Sequence, residues 1–87
     1  MHSRRRALYA ISVAAELSGT AIQNLRVYER RGLLSPDRTE GGTRRYSEDD
    51  VERLVRIREL LDAGLNLAGI ERVLELEAEV ARLRQDD

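Results

Sequence analysis

Glycine punctuates this chain. Gly19, Gly32, the pair Gly41–Gly42 and Gly64 divide it into short stretches, several of them with helical spacing of apolar residues. Ser12 is placed to cap a first helix over VAAEL, which stops at Ser18-Gly19, where glycine accepts a left-handed backbone. Thr20 is placed to cap a second, AIQNLRVYERR, which stops at Gly32. Ile22, Leu25 and Val27 are its apolar positions, and Gln23, Arg26 and Arg30 fall on a more polar side. Two short helices about a tight Ser-Gly turn read as a helix-turn-helix.

The next stretch changes character. Pro36 lacks an N–H and biases Ser35 toward an extended backbone. An extended run, the glycine pair and a second extended run, TRRY, predict a small hairpin. Ser47 then starts a helix, with Asp50 three positions on completing a capping-box-like pair and acids filling the first turn. Val51, Leu54, Val55 and Leu61 are its expected core face, and Gly64 stops it. Asn66 is placed to cap a fourth helix. Beyond it, Val73, Leu76, Val80 and Leu83 follow the spacing of a coiled-coil seam, with glutamates and arginines on the flanks. The choice there lies between a dimerisation helix and an amphipathic helix folded onto its own domain, and the spacing favours dimerisation. The resulting division is a flexible basic leader at 1–8, a winged helix-turn-helix at 9–72 and a dimerisation segment at 73–87.

At 87 residues there is room for one small domain, and its core has to be aliphatic because the only aromatics are three tyrosines. Such a core gains from burial against a second copy. With no cysteine there is neither disulfide nor thiolate chemistry, and the one histidine, His2, sits beside the terminus. No P-loop or metal-ligand spacing is present, and no cofactor is expected. The acids cluster at helix starts and exposed flanks, so an enzyme is not expected. No stretch resembles a signal peptide or a membrane span, which points to the cytoplasm, with the chain on the nucleoid if it binds DNA.

Net charge hides an asymmetry. Residues 1–46 hold nine arginines against four acids, whereas residues 47–87 hold six against twelve, and the two sum to −1. A basic half beside an acidic half suits a chain of which one half meets a polyanion. Gln23, Asn24, Arg26 and Arg30 carry the amide and guanidinium groups suited to base edges and phosphates in a major groove. Tyr28 can pack its ring and still offer its hydroxyl to a phosphate. Arg31 reads as solvated charge. Arg38, Arg44 and Arg45 flank the glycine turn as a wing, able to grip the backbone or the minor groove, unless local acids such as Asp37 and Glu40 neutralise them. A protein-interaction adaptor using the acidic C-terminal helix, or an architectural DNA binder, are the alternatives.

The motifs ISVAAELSG, LRVYERRGLLSP, RTEGGTRRYSEDDV and AGLNLAGI, spanning about Ile11 to Leu74, closely resemble the MerR family of bacterial transcription regulators. The resemblance implies a mainly α winged helix-turn-helix, a following helix pair and an antiparallel coiled coil. It implies a homodimer that binds inverted repeats in double-stranded DNA. It assigns DNA contacts to Arg26 and Tyr28 in the second helix and to Arg44, Arg45 and Tyr46 in the wing, and sets Asn66 close to a phosphate. Ser12 completes the candidate contacts. The chain departs from the family at Val27, where an aromatic is usual, and at Ala21, where a small polar residue is common. It lacks the cysteines of the metal- and redox-sensing branches and the room for a drug-binding domain. Within the family it is most similar to the heat-shock repressor branch, HspR, which implies repression of chaperone operons with a DnaK-type chaperone as co-repressor. Members of that branch usually continue further, so the chain is expected to be a shorter relative or part of a longer one.

Overall fold

The structure, a computed structural model, describes residues 6–85. Its order is β1 (Ala7–Tyr9), α1 (Ile11–Ser18), α2 (Ile22–Arg30), β2 (Asp37–Arg38), β3 (Arg44–Ser47), α3 (Glu48–Asp62) and α4 (Leu67–Gln85). The expected hairpin forms, with Asp37 opposite Arg45 and Arg38 opposite Arg44. A third strand joins it: β1 pairs antiparallel with the other edge of β3, Ala7 opposite Ser47 and Tyr9 opposite Tyr46. Residues 7 and 8 were expected in a flexible leader, and they are instead an edge strand, because a central β3 leaves a row of backbone groups that β1 pairs. Residues 1–5 of that leader lie outside the described residues.

Two caps differ from expectation. Helix α1 starts two residues earlier, with extended Ala10 as its N-cap, so Ser12 lies inside the first turn and caps nothing. The step from β1 into α1 sets that start, since Ala10 is the single residue between strand and helix. Helix α2 likewise has Ala21, not Thr20, at its N-cap, with no side-chain hydrogen bond. Thr20 is occupied by the preceding stop: its N–H reaches Ala15 O at 3.0 Å and the Gly19 N–H reaches Glu16 O at 3.2 Å. This is a Schellman closure, and Gly19 takes it with φ 67°. The same pair of bonds closes α2 at Gly32 and α3 at Gly64. The Ser47–Asp50 capping box forms in both directions at 2.9 and 3.0 Å, and the Asn66 side chain accepts the Gly69 N–H at 2.8 Å, capping α4.

The core gathers Ala14 and Ala15 of α1, Leu25 and Tyr28 of α2, Leu33 and Leu34, Tyr46 of β3, Leu54, Ile57 and Leu60 of α3, and Ile70 and Leu74 of α4. The inward face of α3 is therefore Leu54, Ile57 and Leu60, with Val51 packed at its margin. Val55 and Leu61, expected inside, are 40% and 38% exposed, because they sit a quarter-turn off that row. Helix α4 leans on the domain through Ile70 and Leu74 and then runs on without a break to Gln85. The boundary expected between residues 72 and 73 falls inside this one helix.

Candidate nucleic-acid interface

Helix α2 has a buried side, Leu25 and Tyr28, and that fixes what faces out. Gln23, Arg26 and Arg30, at spacings of three and four, form one exposed stripe. Asn24 is exposed too, but it lines a recess of about 200 Å³ beside the α1–α2 turn, together with Gly19, Thr20, Tyr28 and Arg58. The Arg58 guanidinium donates to Gly19 O at 3.1 Å and so ties that turn to α3. Tyr28 is only 5% exposed, and burial pushes its hydroxyl above the ordinary tyrosine value. Its ring is a core group first. Ser12 is exposed on α1.

The wing turns on Thr39–Thr43. The Thr39 N–H reaches Thr43 O at 2.8 Å, the Gly42 N–H reaches Thr39 O at 2.9 Å, and Gly42 takes φ 83°. Two wing arginines are not loose. Glu29, on the last turn of α2, accepts from Arg38 Nη2 at 3.1 Å through one oxygen and from Arg44 Nε at 2.6 Å through the other. Arg38 also donates to Gly42 O at 3.1 Å, bracing the turn from within. Arg45 is half-buried and donates to Arg44 O at 3.3 Å. The wing arginines were expected free, with pairing to Asp37 or Glu40 as the alternative; the acid that pairs two of them comes from the neighbouring helix. Glu29 is the residue that sequence reasoning missed, and its signal was a lone acid within an arginine-rich helix end, RVYERR.

Tyr46 closes the wing against the domain and does not make the DNA contact that the resemblance implies. It is fully buried, opposite Tyr9 of β1, and its hydroxyl has no hydrogen-bond partner among the described residues. A side chain so placed cannot touch DNA; it is the floor beneath the wing. Burial pushes its hydroxyl up, and the charge of Glu29 pushes it further. Arg31, read as solvated, pairs with Glu71 of α4 at 3.3 Å and anchors the end of α2. Asn66 spends its carbonyl on the α4 cap and remains exposed, at the far end of α3 from the wing strand β3.

Of the coiled-coil residues, Val73 packs against the core margin, whereas Leu76, Val80 and Leu83 are 43%, 46% and 56% exposed. Leu76 and Val80, with Val73, Glu77, Ala81 and Arg84, border an open groove of about 400 Å³ along α4. No described helix is long and apolar enough to cross a membrane.

Known proteins share this arrangement. Heat shock protein HspR of Streptomyces coelicolor is 56% identical over 78 residues, which is 88% of this chain and 52% of that protein. The transcriptional repressor CarH of Myxococcus xanthus is 40% identical over 79 residues, 84% of this chain and 26% of its own length. Among solved structures, HiNmlR, a MerR family regulator lacking the sensor domain and bound to promoter DNA, superposes with a TM-score of 0.74 at 34% identity. That match covers 80% of this chain and 54% of the other. The chain thus spans about half the length of its HspR relative. The family described as MerR HTH family regulatory protein matches residues 9–77, most of the sequence, and the chain belongs to that family.

Proposed function

We propose that the protein is a sequence-specific DNA-binding transcriptional regulator that acts as a homodimer on inverted-repeat promoter sites and represses by occupying them. One observation carries the reading: the exposed stripe Gln23, Arg26 and Arg30 lies on the helix that Glu29 joins to the arginine-bearing wing. A helix in the major groove with a wing on the adjacent backbone uses both elements at once. Arg44 and Arg45 contact phosphate, Gln23 and Arg26 read base edges, and Arg38 acts mainly as a brace. The exposed row Leu76, Val80 and Leu83 runs on from half-buried Val73 along α4, and a second copy of the same helix covers it. HiNmlR, bound to promoter DNA, and the repressor CarH support the class and the sign of regulation. Likeness to a heat shock protein, HspR, supports heat-shock genes as targets, and a DnaK-type chaperone is the proposed co-repressor. Such a protein works in the cytoplasm, on the nucleoid, and is not an enzyme.

Selection from a random-sequence duplex library tests this. The expected result is a palindrome with half-sites about one helical turn apart, bound by a dimer and weakened steeply by salt. Recovery of no common sequence, or a monomer at high micromolar concentration, would overturn it. Adding DnaK to the selected duplex tests the co-repressor: tighter retention of DNA is expected, and no change removes it.

A further inference from the structure

We infer that Glu29 is a positioning residue for DNA recognition: its carboxylate holds both arms of the wing against the recognition helix and so sets their spacing before DNA arrives. The inference rests on the DNA-binding reading above and adds a residue to it that carries the wrong charge for the task.

Glu29 divides its two oxygens between two strands. One takes Arg38 of β2 and the other takes Arg44 of β3, so a single α2 side chain clips the two arms of the hairpin. Its own side chain is 19% exposed, against 49% for Arg38 and 33% for Arg44, so the pairs sit in the crevice between helix and wing. The rest of the clip is shared. Arg38 reaches on to Gly42 O in the turn, and Tyr46 lies beneath with its hydroxyl unpartnered. The β2 arm has little else to hold its angle, since β2 is two residues long and exposed throughout. Glu29 leaves Arg45 outside its clip, and Arg44, held through Nε, keeps its two terminal nitrogens for phosphate. The carboxylate thus gives up some general attraction for DNA in return for a fixed distance between the wing and the Gln23–Arg26–Arg30 stripe. Fixed spacing favours a matching site over any other duplex, because pre-ordered groups lose less freedom on binding.

Charge and positioning predict opposite signs, which makes the inference testable. The probes are the duplex selected by the wild-type protein and a scrambled duplex of the same length and composition. For Glu29→Gln, affinity for the selected duplex is expected to fall about tenfold while affinity for the scrambled duplex holds or rises. Glu29→Asp keeps the charge but is one methylene shorter, and it is expected to recover part of the discrimination. Thermal unfolding of each variant, followed by circular dichroism, separates positioning from loss of fold. If both affinities rise together, Glu29 only dilutes the wing's charge and the inference fails. If both fall together with the melting temperature, its role is structural and the inference fails as well. Should Glu29→Gln not fold, Glu29→Asp alone decides: unchanged discrimination overturns the inference. A wild-type protein that prefers no duplex would remove the DNA-binding reading itself, which is a different failure.

Discussion

The two halves of the molecule use arginine differently. In the α2–wing half, Arg38 and Arg44 share one carboxylate, while Arg26 and Arg30 stand exposed. In the α3–α4 half, and where α2 ends against it, arginine meets acid largely one to one: Arg31 with Glu71, Arg56 with Glu77, Arg72 with Glu75 and Arg82 with Glu79. Arg53 and Arg58 spend donors on the backbone carbonyls of Leu33 and Gly19. Counting arginines along the sequence therefore exaggerates the binding face at Arg31, which is matched. It misses that part of the surplus at the wing is harnessed by Glu29. Pairing, more than number, separates a surface that awaits a polyanion from one that holds a fold together.

The largest effect lies in the scaffold. Leu74→Ala empties a nearly enclosed site between α4 and the domain and should cost about 2–5 kcal/mol, read from denaturant unfolding. Because Leu74 precedes the exposed part of α4, the loss should also loosen the seam formed by Leu76, Val80 and Leu83. A cost well under about 1 kcal/mol would mean that α4 does not rest on the core.

On the other side of the comparison, Arg44→Ala with Arg45→Ala should leave unfolding nearly unchanged but weaken DNA binding about a hundredfold, by roughly 1–2 kcal/mol per lost charge-assisted contact. The loss should extend to duplexes of any sequence, and the logarithmic salt slope should fall by about 2. An unchanged slope would place both side chains off the phosphates.

Tyr46 tests the boundary between the halves. Its buried hydroxyl lacks a partner, so Tyr46→Phe should stabilise the fold by up to about 1 kcal/mol and leave DNA affinity intact. Destabilisation would mean that the hydroxyl is bonded in solution. The same residue links stability to pH. Burial raises both Tyr28 and Tyr46 above 10.0, so the unfolded chain releases those protons first. Stability is then full below about pH 10 and falls as pH rises beyond it; Tyr46→Phe should make that fall shallower.

These cases also mark what the sequence makes legible. Local rules carried the stops at Gly19, Gly32 and Gly64, the Ser47–Asp50 box and the Asn66 cap, because each is settled within a few residues of chain. The exposed Gln23, Arg26 and Arg30 followed from one helix's periodicity. Apart from the Ser12 and Thr20 caps, what failed needed tertiary knowledge. Strand β1 exists because β3 offers it an edge, Tyr46 is buried because β1 and β3 close over it, and Glu29 acts across a gap of 15 residues to Arg44. Val55 and Leu61 were misplaced because apolar character alone does not say which of two adjacent rows faces inward.

The smallest effect is the most diagnostic. Arg31 follows Arg30 at the end of α2, and by sequence the two are interchangeable. By structure, Arg30 is an exposed member of the stripe, while Arg31 turns to Glu71 at 3.3 Å with 42% of its side chain exposed. A pair that open to solvent contributes about 0–1 kcal/mol, so Arg31→Ala and Glu71→Gln should each shift unfolding only slightly, and the double variant by no more than either alone. Neither should alter the salt slope of DNA binding, whereas Arg30→Ala should lower it by about 1. If Glu71→Gln instead steepens the slope, Arg31 has been released onto DNA. The matched half would then hold a reserve of charge for binding, and the contrast with the wing would be one of degree.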